Sequence, residues 1–146
     1  MNATEGLQDE RHGPTKEFGF RHAFFYGGPV LAYAVLIFFL SSLSTFPEEI
    51  PSFIGLDKIT HFLEYYFFAC LLYRWFSSTD RYRKQRCVLL MTILIGTAYA
   101  MGDEWHQSFV PGRDASLWDM LFDAAGVGTG AVTYPSIRQR IFLKRE

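Results

Sequence analysis

Cysteine is scarce, one long apolar run carries no charge at all, and basic residues are nearly absent outside three short segments. The only two cysteines, Cys70 and Cys87, read as the middle of one apolar run and the edge of the next, so no disulfide framework is implied. No internal repeat or low-complexity tract is present. The glycine-rich "GVGTG" at 126–130 lacks the strand and following helix of a nucleotide-binding loop and reads as a helix-packing surface instead. No complete zinc, di-iron or catalytic motif is legible, so neither metal nor cofactor is expected. Basic loops beside apolar runs report topology and anionic lipid, which excludes nucleic acid as a partner.

What is present is a block structure. The 146 residues, one domain's worth, are 49% hydrophobic and 18% aromatic, and the apolar residues come in runs separated by short polar segments. A helix needs roughly 20 mostly apolar residues to cross a bilayer. Four runs are candidates, at 23–43, 59–76, 88–102 and 117–134. The first is free of charge; the third is short and is expected to continue as helix into the acidic stretch after it. The fourth carries Asp119 and Asp123 near its start, charges that penalise insertion. Residues 1–22 form a polar leader, expected to be disordered, whose Glu5, Asp9, Glu10 and Glu17 argue against a secretory signal. A basic tail follows from 135 to 146.

Twelve of the fourteen basic residues lie before the first run, around the end of the second, or after the fourth. In a four-span chain these segments share one side, which the positive-inside rule makes the cytoplasm, with both termini there. Lys58 and Arg113 are left for the opposite side, beside nine acidic residues that include Glu48, Glu49 and Asp114.

Helical spacing sorts those residues onto faces. Asp57, His61, Glu64, Tyr65 and Phe68 share one, Tyr99, Asp103, His106 and Gln107 a second, and Ser116, Asp119, Asp123 and Gly126 a third. All three meet at the extracytoplasmic end, where ionisable groups avoid lipid by turning inward. The expected fold is therefore all-α, an integral membrane four-helix bundle with a polar, acidic cup. Small residues four apart, Gly96 with Ala100, Ala98 with Gly102 and Gly126 with Gly130, allow close helix approach. "VPGR" at 110–113 fits a type II turn, and Ser116 with Asp119 fits a helix capping box.

Three segments together resemble the VanZ-like family of bacterial membrane proteins: "DKITHFLEY" from Asp57, "DEWHQSFVPGR" from Asp103 and "SLWDMLFDAAG" from Ser116. Asp123 departs from the family pattern, which has asparagine there; either the site tolerates an extra negative charge or it keeps this carboxyl protonated. The resemblance implies a four-helix protein of the bacterial inner membrane. The family name comes from a member associated with resistance to the glycopeptide teicoplanin, a phenotype without a settled biochemical activity.

Two functions follow as expectations. In the first, the cup binds or modulates an envelope lipid or lipoglycopeptide through Asp57, Lys58, His61, Glu64, Tyr65, Asp103, Glu104, Gln107, Arg113, Ser116, Asp119 and Asp123. Arg113 would clamp phosphate or carboxylate while the carboxylates bond sugars or amines. In the second, the protein is a membrane-embedded hydrolase or transferase acting on a lipid-linked envelope substrate. Glu104 or Asp103 would then be the base and His61 the acid or nucleophile, with a rival arrangement placing a divalent metal on Asp57, His61, Asp103 and Asp119.

Overall fold

A computed structural model describes residues 21–43, 56–79, 84–113 and 115–143. The leader up to residue 20 lies outside the described residues, as do Glu48, Glu49, Arg81, Arg83, Asp114, Lys144 and Arg145. Among the described residues all regular structure is helical. Helix α1 is Ala23–Ser41, α2 is Leu56–Ser77, α3 is Gln85–Gln107 and α4 is Leu117–Leu143. Each expected apolar run thus becomes one helix.

The boundaries have local causes. Pro29 cannot donate to the carbonyl of Phe25, and the turn before it, Ala23–Gly27, is widened into a π-helical turn from which the regular helix Gly28–Ser41 continues. Helix α3 runs unbroken through Asp103 and Glu104 to Gln107. It ends at the Val110 to Arg113 turn, where the Arg113 N–H donates to the Val110 carbonyl at 3.1 Å and Gly112 takes φ 82°. That positive φ at the third position is what a type II turn requires of its glycine. Helix α4 passes through Pro135 and reaches Leu143, beyond the apolar run that announces it.

The helices alternate in direction. At one end His22 Nε2 lies 3.0 Å from the Ser78 carbonyl, the Arg74 guanidinium sits over the Tyr26 ring, and Arg138 donates to Ser77 Oγ. At the other end Arg113 donates to the carbonyls of Leu40 and Leu43, joining the turn after α3 to the end of α1. The result is an up-down-up-down bundle.

Packing is closest between α2 and α4. A Cβ on Gly126 would collide with the Phe62 carbonyl oxygen, and one on Gly130 with that of Tyr66, so the two backbones touch where side chains normally intervene. Gly96 instead packs against the Val127 side chain, and Ala100 is fully buried, whereas Ala98 and Gly102 face outward. The core is built from Tyr65, Phe68, Ala69 and Leu72 of α2, Val88 and Ala100 of α3, Val127 of α4, and Val30 and Ile37 of α1. Outside lie Leu31, Val35 and Phe39 of α1, Leu90 and Leu94 of α3, and Leu121 and Val132 of α4, all exposed. Two of the described helices, α1 and α3, are long and apolar enough to cross a membrane by length and composition.

Candidate functional site

At the end of the bundle where α2 and α4 begin and α3 finishes, the interior turns polar. His61, Asp103, Glu104, Gln107, Asp119 and Asp123 are all buried, the last completely, while Leu and Phe side chains cover the outside. Inward-facing charge beneath an apolar exterior inverts the usual arrangement of a soluble domain.

The mouth of the cup is organised by Lys58, in the first turn of α2. Its ammonium pairs with Asp119 Oδ1 of α4 and lies 3.1 Å from Asp57 Oδ2. Deeper in, His61 Nδ1 lies 3.0 Å from Asp123 Oδ1, and His61 Nε2 lies 3.9 Å from Asp57 Oδ1. Asp123, the carboxylate that the resemblance did not lead one to expect, therefore has a histidine as its partner.

Helix α3 supplies the third wall. Gln107 Nε2 donates to Asp103 Oδ2 at 3.1 Å, one turn apart on the same helix. Glu104 Oε2 accepts the backbone N–H of Ser116 at 2.9 Å. This replaces the expected capping box: the Ser116 N–H is satisfied by Glu104, which leaves Asp119 to Lys58. Glu64, half-buried on α2, stands within electrostatic range of His61, Asp103, Asp123 and Arg113. Tyr65 is fully buried beneath them, and its ring contacts those of Phe68 and Tyr99.

Two of the sequence-derived candidates are placed differently from the rest. Arg113 reaches the carbonyls of Leu40, in the last turn of α1, and of Leu43, just past it, where a cation complements the C-terminal end of a helix. His106 leans on Phe38 of α1, ring centroids 4.4 Å apart, instead of joining Asp103 and Gln107. The remaining candidates, Asp57, Lys58, His61, Glu64, Tyr65, Asp103, Glu104, Gln107, Ser116, Asp119 and Asp123, are gathered at this one end.

Several buried polar atoms here have no hydrogen-bonding partner among the described residues: Tyr65 Oη, Asp103 Oδ1, Glu104 Oε1, His106 Nδ1 and Asp123 Oδ2. Among the described residues two sets offer ligand atoms within 4.8 Å of one another, Asp57 with His61 and Asp119, and His61 with Glu104 and Asp123. Asp103, expected in the metal arrangement, belongs to neither, and Glu104 takes its place. Around the mouth, Trp105, Phe109, Leu117 and Trp118 are strongly exposed. Sequence reasoning did not single out this apolar rim. Its signal is the alternation of Trp105 with Glu104 and of Trp118 with Asp119, which puts an aromatic ring outside next to each inward carboxylate.

Against models of protein families, residues 20–139 match the family described as VanZ/LLP1. Neither a curated protein nor a solved structure matches the chain.

Proposed function

The chain belongs to the VanZ/LLP1 family, and from that premise and the geometry of the cup we propose that it binds an acylated, sugar- and amine-bearing amphiphile in the cell envelope. The ligand class is an envelope glycolipid or a lipoglycopeptide of the teicoplanin type. Family membership and two long apolar helices point to a membrane protein. In this reading all four helices span the bacterial inner membrane, α2 and α4 keeping their charges inside the bundle, and the cup faces the extracytoplasmic side.

The observation that carries the reading is a buried acidic cup directly under an exposed aromatic rim. Carboxylates accept hydrogen bonds from hydroxyl and ammonium groups, so the cup suits sugars and amines better than phosphate. In this reading the exposed Trp105 and Trp118 lie at the depth of the membrane-water interface, where such a head group sits. An acyl chain would then run down the apolar exterior of the bundle.

The test is fluorescence of the rim tryptophans in detergent-solubilised protein, titrated with teicoplanin, with vancomycin, which lacks the acyl chain, and with a diglycosyl diacylglycerol. Saturable binding of an acylated ligand is expected, weakened at least tenfold in Asp103→Asn and Gln107→Ala that elute as wild type does. If no acylated ligand binds folded protein, the reading fails.

One observation favours a second reading, a membrane-embedded hydrolase or transferase acting on a lipid-linked envelope substrate. His61 and Asp123 form a buried couple at 3.0 Å, the pairing that orients an imidazole for proton transfer. Equal turnover by wild type, His61→Ala and Glu104→Gln would dispose of it.

A further inference from the structure

We propose that His61, Glu104 and Asp123 form a binding site for a divalent first-row transition-metal ion such as Zn2+. The three come from three helices, α2, α3 and α4, and all are more than nine-tenths buried. Each offers a ligand atom within 4.8 Å of the other two. One of these separations, 3.0 Å between His61 Nδ1 and Asp123 Oδ1, is close to the roughly 3.3 Å that separates two donors sharing one tetrahedral ion with bonds of about 2.0–2.2 Å.

Geometry alone does not distinguish a metal site from an acidic cluster; the unpartnered oxygens do. Glu104 Oε1 and Asp123 Oδ2 are buried with no hydrogen-bonding partner among the described residues. An ionised carboxylate has only acceptors, so each of these oxygens requires a donor or a cation. Nearer the mouth the requirement is already met, since the Lys58 ammonium bonds both Asp57 and Asp119. The second set, Asp57 with His61 and Asp119, therefore already holds a cation of its own, the Lys58 ammonium.

The donor types fit the ion. One imidazole nitrogen and two carboxylate oxygens, with no thiolate, suit borderline divalent ions from Mn2+ to Zn2+ and disfavour Cu(I). Three protein ligands with a fourth position open is the pattern of a site that also takes water or a ligand. The surroundings already orient one ligand: the Ser116 N–H holds Glu104 Oε2 at 2.9 Å and so leaves Oε1 for the ion. This site lies in the same cup as the proposed head-group site but does not depend on it, because an ion can be held there whether or not an amphiphile enters.

The full-length protein, purified in detergent, would be stripped with chelator, desalted, exposed to Zn2+, desalted again and measured for metal per chain by mass spectrometry. A single Zn2+ retained per chain is expected. Glu104→Gln and Asp123→Asn should each weaken retention at least tenfold, since even changes outside the ligand set cost 10–100-fold in metal affinity. Asp57→Asn, which removes a carboxylate 3.9 Å from His61 Nε2 but outside the inner set, should weaken retention less than either inner substitution. Co2+ added to stripped wild type supplies a measurement that needs no variant: the site should change its visible absorption from that of the free ion. No Zn2+ on folded wild type, an unchanged Co2+ spectrum, or retention that survives both inner substitutions would overturn the site. So would loss in Asp57→Asn equal to that in the inner variants. Because every readout is metal content without lipid, failure here leaves the head-group reading to be decided by its own titration.

Discussion

Lys58 and Asp119 show how a single residue can change its apparent role between sequence and fold. Asp119 stands three positions after Ser116 and has the spacing of a local cap, yet its partner is Lys58, 61 positions away. Asp119 is nearly buried, at 7% exposed, so removing the ammonium strands a carboxylate. Leaving a buried group unsatisfied costs about 1–3 kcal/mol. Lys58→Met should therefore lower the thermal midpoint in detergent, and adding Asp119→Asn should recover at least half of the loss, a coupling that a double-mutant cycle reads directly. No recovery would mean that the pair is not the source of the effect.

Helices α2 and α4 are held by an approach that only glycine permits. At Gly126 the obstacle to a side chain is a backbone oxygen, which cannot rotate aside, whereas Gly128 has nothing within 4 Å of the Cβ position. Gly126→Ala should therefore destabilise, by about 1–3 kcal/mol as for other overpacked sites. Gly128→Ala should be neutral or slightly stabilising, because alanine favours helix over glycine by up to about 1 kcal/mol. Thermal unfolding of the two variants side by side checks this, and equal midpoints would remove close backbone contact as the cause. At this scale the sequence was largely readable: apolar runs marked four helices, the Pro111-Gly112 turn followed from turn chemistry, and Gly126 with Gly130 followed from spacing. Three things were not. The π-turn before Pro29 depends on how one helix absorbs a missing donor, and the extension of α4 past Pro135 lies beyond its apolar run. The two other small-residue pairs look alike in sequence, but only Gly96 and Ala100 face a neighbour. Helical spacing gathered most of the cup's residues but left out Glu104, which faces inward, and included His106, which leans on Phe38. Who pairs with whom was not legible, because Lys58 with Asp119 and His61 with Asp123 are contacts between helices that no local pattern encodes.

Across the whole molecule charge separates by end. Arg21, Arg74, Lys84, Arg86, Arg138 and Arg140 belong to the end where α1 and α3 begin and α2 and α4 finish. Lys58 and Arg113 are the described lysine and arginine at the cup end, each engaged by Asp119 or by the carbonyls of α1. The alternating direction of the helices makes this a property of the fold, since every second chain reversal returns to the same end. A membrane reads such an asymmetry through the excess of lysine and arginine retained in the cytoplasm. The proposed orientation therefore puts both chain ends in the cytoplasm and the cup outside. Fusing a reporter after Glu146 tests it: green fluorescent protein should fluoresce there, and alkaline phosphatase, which needs an oxidising compartment, should stay inactive. The reverse pattern would turn the cup toward the cytoplasm and remove an extracytoplasmic amphiphile as its ligand. The inner His61, Glu104 and Asp123 set would keep its geometry in either orientation, so this experiment separates where the cup faces from what it can hold.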